Sequence, residues 1–178
     1  ITENSNILGI DPKQDIYVDK KTSKDAYQME HITKQQTYHG VPVYGAVLNF
    51  HLKDKNLVSL NGTIIADIKV DPIPSISANR AADLALRKLE KDLPNSSTSN
   101  LSIKNNELYI FQKGLADGVP GPKLLVYRIE ISDMVQIREF LFIDAHTGEL
   151  VDQFSGNHTA LNRKLYQPSY SASNPTNN

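Results

Sequence analysis

The sequence predicts an α+β fold: two small subdomains, each an antiparallel β-sheet with limited helix, followed by an extended C-terminal tail. Three observations lead there. Period-two alternation of apolar and polar residues recurs in two blocks, on either side of residues 71–77. One stretch, "ANRAADLALRKLEKDL", follows helical spacing instead. After Phe154 the chain turns polar, as "SGNHTALNRKLYQPSYSASNPTNN", with only scattered apolar anchors.

Residues 1–30 are polar and mixed, and read as a loosely structured lead-in with one short element. Residues 31–38 read as an edge-like strand. His39-Gly40 makes a corner, and Pro42 fixes its own φ and biases Val41 to an extended shape. From Val43 the pattern has period two. Tyr44, Ala46, Leu48, Phe50 and Leu52 are expected on one face, and Val43, Gly45, Val47, Asn49 and His51 on the other. Residues 53–56 form a turn and 57–68 a second alternating run, so the pair reads as a β-hairpin. Gly45 and Gly62, inside strands, point to bulges or close backbone approach.

"DPIPSIS", residues 71–77, marks a boundary between subdomains. Ser77 is placed to cap a helix, in which Ala82, Ala85, Leu86, Leu89 and Leu93 share one side. Pro94 and "NSSTSN" end it. Strands resume with "ELYIF", a turn cluster "DGVPGP", and "LLVYRIEIS", where Leu125, Tyr127, Ile129 and Ile131 share a face. "REFLFIDAHTGELVDQF" reads as strand, turn, strand. The organisation is thus residues 1–70, a linker at 71–77, a helix and about four strands over 78–154, and a tail at 155–178. No internal repeat is convincing.

The chain has 178 residues, 39% hydrophobic and 22% charged, with a formal net charge of -1. That composition is globular, and no basic block points to nucleic acid or an anionic membrane. No apolar run approaches the roughly 18 residues of a membrane span. There is no cysteine, so neither a disulfide frame nor a thiolate nucleophile or zinc ligand is available. Sequons occur at Asn61, Asn95, Asn100 and Asn157. The chain starts at Ile1 without a signal sequence, which is expected to have been removed.

Motifs for catalysis are missing. The five histidines, His31, His39, His51, His146 and His158, include no pair at helical spacing and no H-E-x-x-H. No G-x-S-x-G, G-x-G-x-x-G or phosphate loop occurs. Asp144 and Glu149 flank a turn, where carboxylates hold backbone N–H groups. Tyr44, Phe50, Tyr109, Phe111, Tyr127, Phe140 and Phe142 fall on strands without accompanying basic residues, which suits a core better than a base-stacking platform. The residues alone therefore point to a scaffold with a bindable tail.

Residues 31–62, "HITKQQTYHGVPVYGAVLNFHLKDKNLVSLNG", resemble the fungalysin/thermolysin propeptide motif. The matching positions are His31, Gln35, Gln36, Tyr38, Gly40, Val41, Pro42, Val43, Gly45, Ala46, His51, Asn61 and Gly62. Lys55-Asn56 stands at the hairpin turn where the family often has a glycine. The helix, "KLLVYRIEI" and "REFLFIDAHTGELVDQF" are similar to a PepSY domain, most recognisably at Phe142, Ile143, Asp144, Ala145, Thr147, Gly148 and Glu149. The order of the two is that of the prosegment of secreted thermolysin-like zinc metalloproteases, whose catalytic domain and zinc motif are absent from this chain.

The resemblance implies an inhibitor and folding assistant rather than an enzyme, working outside the cell. Its implied partner is the catalytic domain of its own protease, with zinc and calcium held there and no cofactor in this chain. An extended tail can enter a cleft by strand addition, its side chains filling subsites. Phe154, His158, Thr159, Leu161, Asn162, Arg163, Leu165 and Tyr166 are the candidate contacts. Leu161 and Leu165 suit an apolar pocket, and Asn162 and Arg163 a polar rim. The sheet around Asn49 and His51 either docks on that domain or packs the subdomains together. Gln35, Gln36, Gly40, Val41, Pro42, Val43, Gly45, His51, Asp144 and Gly148 are scaffold positions. A freestanding PepSY-type inhibitory or ligand-binding module is the alternative reading.

Overall fold

The computed structural model describes residue 13 and residues 15–93, 100–115 and 118–156. They form an eight-stranded sheet and one helix: β1 (Asp15–Lys24), β2 (Glu30–Tyr38), β3 (Val41–Lys53), β4 (Asn56–Gly62), α1 (Ala78–Asp92), β5 (Ser102–Gln112), β6 (Lys123–Ser132), β7 (Arg138–Asp144) and β8 (Leu150–Ser155). The strand order is β1-β2-β3-β5-β6-β7-β8, with β4 pairing β3 off that path. Neighbours are antiparallel except β3 and β5, joined by one parallel bridge, Val43 to Ile110.

Ser77 caps α1 as its sequence position predicts, its side chain accepting from Arg80 N–H at 3.2 Å. Ala81, Ala82, Ala85 and Leu89 are the helix's buried residues. Small side chains let α1 lie close on β5, β6 and β7. The core under it joins Val43, Ala46, Ile65 and Ile68 to Ile110, Leu125, Tyr127, Ile129, Ile131, Leu141 and Ile143. The clean alternation of β6 is therefore real, and its inward face is the one the sequence marks.

Four expectations need correction. Within the lead-in, Asp15–Lys24 form a full ten-residue strand, β1, rather than one short element. It lies at the sheet's margin, so Ile16 and Val18 stay exposed and no buried face imposes alternation. Lys20, Lys21 and Lys24 suit such an edge, since charged side chains discourage further pairing. Consequently β2 is not an edge strand; it lies between β1 and β3. The faces of β3 are not strictly alternating either. Gly45 adopts φ +75° and the register slips between Gln35 and Thr37. This bulge puts Val43, Ala46 and Leu48 in the core and sends Tyr44 to the opposite face. Finally, β4 stops at Gly62, and its seven residues are all exposed. Ile65 and Ile68 reach the core from an irregular segment rather than a strand.

Both strand glycines are used as their positions suggest. A Cβ on Gly62 would lie 2.0 Å from the Val47 carbonyl oxygen. The turn at Asp54-Lys55 needs no glycine, since both residues take positive φ, 52° and 66°. That is the two-residue geometry whose twist matches a hairpin.

The Gln-Gln pair supplies the hydrogen bonds that the bulge leaves open. Gln35 Nε2 donates to Val43 O at 2.7 Å and Ala46 O at 3.0 Å, carbonyls that the slipped ladder cannot pair. Gln36 is wholly buried. Its Oε1 accepts from Ile65 N–H at 3.0 Å, and its Nε2 donates to Ile65 O at 2.8 Å and Asp15 Oδ1 at 3.1 Å. One side-chain amide thus pairs with a residue's backbone as a neighbouring strand would.

Two stability outcomes follow. Gly62→Ala brings Cβ against a fixed backbone oxygen and should lose ~3 kcal/mol in urea unfolding. Gln36→Ala strands the buried Ile65 N–H and C=O and should also cost ~3 kcal/mol, because each orphaned group loses its partner without regaining water.

Candidate functional site

Strands β5 to β8 are apolar on both faces. On the face away from α1, Phe111, Val126 and Phe142 are buried, with Tyr44, Tyr109, Leu124, Phe140, Val151 and Phe154 packed on them. Phe142 is the hub: its ring centroid lies 4.6 Å from that of Phe111, 5.1 Å from Tyr44 and 5.3 Å from Phe154. The edge-to-face contacts with Tyr44 and Phe154 suit the aromatic quadrupole. Among the described residues no helix or further sheet covers this layer.

The layer opens into a pocket of about 420 Å³ lined by Tyr44, Gly45, Phe111, Leu115 and Phe154, with Gln112 and Asp152 among its polar members. Asp152 and Phe154 place β8 in its wall. Bulge and pocket are linked, since the slip that turns Tyr44 outward also brings Gly45 to the pocket wall. The rim is charged. The Arg128 guanidinium lies 4.4 Å from the Phe140 ring centroid and 3.5 Å from a Glu107 carboxylate oxygen. Arg138 covers the same ring at 5.2 Å and pairs with Glu130 at 2.7 Å. Burial, and then the hydrogen bond to Glu107, push the Tyr109 phenol up, so it stays a donor. An apolar centre with a charged rim has the anatomy of a protein–protein interface.

Among the predicted scaffold positions, Gly40 takes φ +84° beside His39 at φ 48° in the β2–β3 corner. Val41 and Pro42 stand opposite Tyr38 and Thr37. The turn after β7 works as its carboxylate suggests. Asp144 Oδ1 accepts from His146 N–H and Thr147 N–H, both at 2.8 Å. Gly148 takes φ +79°, and a Cβ there would meet Leu84 of α1 at 2.9 Å. The turn also holds residues 71–77: Ser75 and Ile76 both donate to Ala145 O, and His146 reaches Ser75 Oγ and Asp71 O, each at 3.2 Å. His146 is thus a clamp between two loops.

The structure brings together two histidines that the spacing does not. His31 and His51 are cross-strand partners, with Nδ1 atoms 2.7 Å apart. His31 Nε2 lies 3.1 Å from Asp25 Oδ2, and His51 Nε2 lies 3.1 Å from Asn61 Nδ2. Asn49, on the same face, bonds to Thr33 and Asn61. The face around Asn49 and His51 is therefore a hydrogen-bonded polar row rather than apolar packing. Among the described residues there is no group of three or more His, Cys, Asp or Glu placed to hold a metal ion. Nor is any helix among them long and apolar enough to cross a membrane.

Phe154 is the one tail candidate within the described residues, and it sits on β8 in the pocket wall. His158, Thr159, Leu161, Asn162, Arg163, Leu165 and Tyr166 lie outside them.

Comparison with known proteins gives these features a context. Residues 17–64 match the Fungalysin/Thermolysin Propeptide Motif. The chain is 28% identical over 128 residues to the hemagglutinin/proteinase of Vibrio cholerae, covering 70% of this chain and 20% of that protein. It is 32% identical over 143 residues to neutral protease B of Bacillus subtilis, covering 79% and 26%. To the thermostable neutral protease NprT of Geobacillus stearothermophilus it is 22% identical over 127 residues, covering 68% and 22%. Among solved structures, the C-terminal domain of Bacillus megaterium YpeB matches at a TM-score of 0.40 and 20% identity, over 78% of this chain and 56% of that one. The chain thus spans only about a fifth to a quarter of the length of the curated proteases it matches. Residues 17–64 therefore belong to the fungalysin/thermolysin propeptide motif, and the chain is a prosegment of the thermolysin-like protease type rather than a catalytic domain.

Proposed function

We propose that this chain inhibits, and helps to fold, the catalytic domain of its own secreted thermolysin-like zinc metalloendopeptidase until proteolysis removes it. The observation that carries the reading is the propeptide motif at residues 17–64, in a chain similar to a fraction of several larger proteases. Zinc and calcium belong to the catalytic domain. The division into residues 1–70, a linker at 71–77, a PepSY-like unit at 78–154 and a tail from 155 is part of the same reading.

With no cysteine the chain has no thiolate to place on zinc, so inhibition works by occupying the cleft. Residues 155–178 do this by adding a strand to the cleft edge, with Leu161 and Leu165 in apolar subsites and Asn162 and Arg163 at the rim. The aromatic layer beside Phe154 gives the folded body a second contact surface, next to where the chain leaves the sheet. A partner that binds only the native catalytic domain also stabilises it by mass action, which is the folding role in physical terms.

The test is a titration of a thermolysin-like protease with the full chain and with a chain ending at Phe154. Burying two leucines is worth roughly 1.5–3 kcal/mol each. Truncation should therefore weaken inhibition by about 100-fold or more. Equal inhibition by both chains would place the binding on the folded body and overturn the role of the tail. No inhibition by either would overturn the inhibitory role and favour a ligand-binding module.

A further inference from the structure

We propose that His31 and His51 form a proton-operated latch across the propeptide-motif sheet, closed while the pair carries at most one added proton and forced open when both rings are protonated. The inference rests on hydrogen-bond geometry and does not depend on the inhibitory role.

The chemistry at the two ends of the row fixes which atom carries each proton. At one end, Asp25 Oδ1 accepts from Tyr27 N–H at 2.9 Å and Met29 N–H at 3.0 Å. Its other oxygen then takes the His31 Nε2 proton at 3.1 Å. At the other end, Asn49 Nδ2 donates to Asn61 Oδ1 at 3.2 Å. Asn61 must therefore present its Nδ2 donor to His51 Nε2, at 3.1 Å. A ring that accepts at Nε2 carries its hydrogen on Nδ1. So the neutral pair is asymmetric: His51 Nδ1–H donates to the bare Nδ1 of His31 across 2.7 Å.

One added proton fits this row. His31 becomes an imidazolium facing the Asp25 carboxylate and donates from Nδ1. His51 moves its hydrogen to Nε2, and the Asn61 and Asn49 amides turn together, so that Asn61 Oδ1 accepts from His51, Asn61 Nδ2 donates to Asn49 Oδ1, and Asn49 Nδ2 donates to the Thr33 hydroxyl. A second proton does not fit. It leaves two N–H groups and two like charges facing each other over one hydrogen-bond length, with no acceptor between.

The surroundings reinforce this limit. Asp25 is held below the usual carboxylate range, first by its hydrogen bond from His31 and then by the Met29 N–H, so it stays anionic while histidine titrates. Along the same face β1 offers Ser23 and Lys21, β3 Lys53 beyond His51, and β4 Ser59 and Asn61. Both lysines oppose a second positive charge, and α1 packs on other strands.

Opening the latch cuts the side-chain path from the β1–β2 turn to β4. That strand pairs with β3 alone, and all its residues are exposed. The unfolded chain binds a proton on each ring, whereas the closed latch holds one. Where the unfolded chain carries both protons and the closed latch only one, stability falls as pH drops, because the unfolded state binds more protons.

The test is long-range ¹H–¹⁵N NMR of the imidazoles in the full chain, with amide exchange followed alongside. At about pH 7.5, above the ordinary histidine range, His51 should be the Nδ1–H tautomer and His31 the Nε2–H tautomer. On acidification the pair should take up protons in two separated steps. The second should coincide with a roughly tenfold rise in β4 amide opening, beyond the intrinsic effect of pH. His51→Gln should remove both the second step and the accompanying rise. Two Nε2–H tautomers at the higher pH, or two independent titrations with β4 protection unchanged down to about pH 5, would overturn the latch.

Discussion

The slip in the β2–β3 ladder at Gly45 is the constraint on which the rest of this molecule depends. A regular hairpin from the His39-Gly40 corner would put Val43 and Tyr44 into ordinary pairs and leave one face of β3 to alternate undisturbed. The slip instead extrudes a short stretch of backbone whose carbonyls need partners, and Gln35 provides them from the facing strand. Val43 can then enter the core and form the single parallel bridge to Ile110, which joins the two antiparallel parts of the sheet. Gln36, buried beside it, draws Ile65 inward and so closes the core from below β4. The Gln-Gln dipeptide and the glycine form one device. Neither amide would be tolerated in a core without the bulge, and the bulge would be costly without the amides.

Much of this was legible. The N-cap at Ser77, the helix face, the alternation of β6 and the Asp144 turn follow from local rules: a cap residue, a helical period, a strand period, a carboxylate at a turn. Glycines inside strands announced a bulge and a close approach, and both occur. What failed were inferences that needed a register. Counted from the corner without a slip, His31 would stand opposite Leu48 rather than His51. A glycine signals that a bulge exists but not how many residues it absorbs, so the histidine pair was hidden. The first strand was missed for a different reason. With both sides near solvent at the sheet's margin, nothing selects for alternation, and "DIYVDKKTSK" looks like loop. The tail from residue 157 onward was read by composition, and its contacts lie outside the described residues.

The two faces of the sheet explain why the aromatic residues were only half understood. Placing Tyr109, Phe111, Phe140 and Phe142 in a core was right in chemistry but did not say which core. Their neighbours Ile110, Leu125, Leu141 and Ile143 belong to the side that α1 covers, and the aromatics to the other. A strand apolar on both sides ordinarily has a layer on each side. Here one layer is a helix, and the other is aromatic side chains lying on one another, fringed by Arg128 and Arg138. Aromatic rings can do this because each covers a large area with little conformational entropy to lose.

That arrangement bears on how a prosegment meets its enzyme. A body of this size without disulfides has only its packed core and hydrogen-bonded bulge to hold it together. Its aromatic layer, uncovered among the described residues, includes Phe154 near the end of β8. A partner tethered through the same chain is present at high effective concentration, so even a modest contact there would be occupied while the tether lasts. Cutting the tether removes that advantage without altering a single contact. In the proposed role, the aromatic layer and the tail are then complementary: one holds the body near the enzyme, the other blocks the cleft, and both depend on the tether that proteolysis cuts.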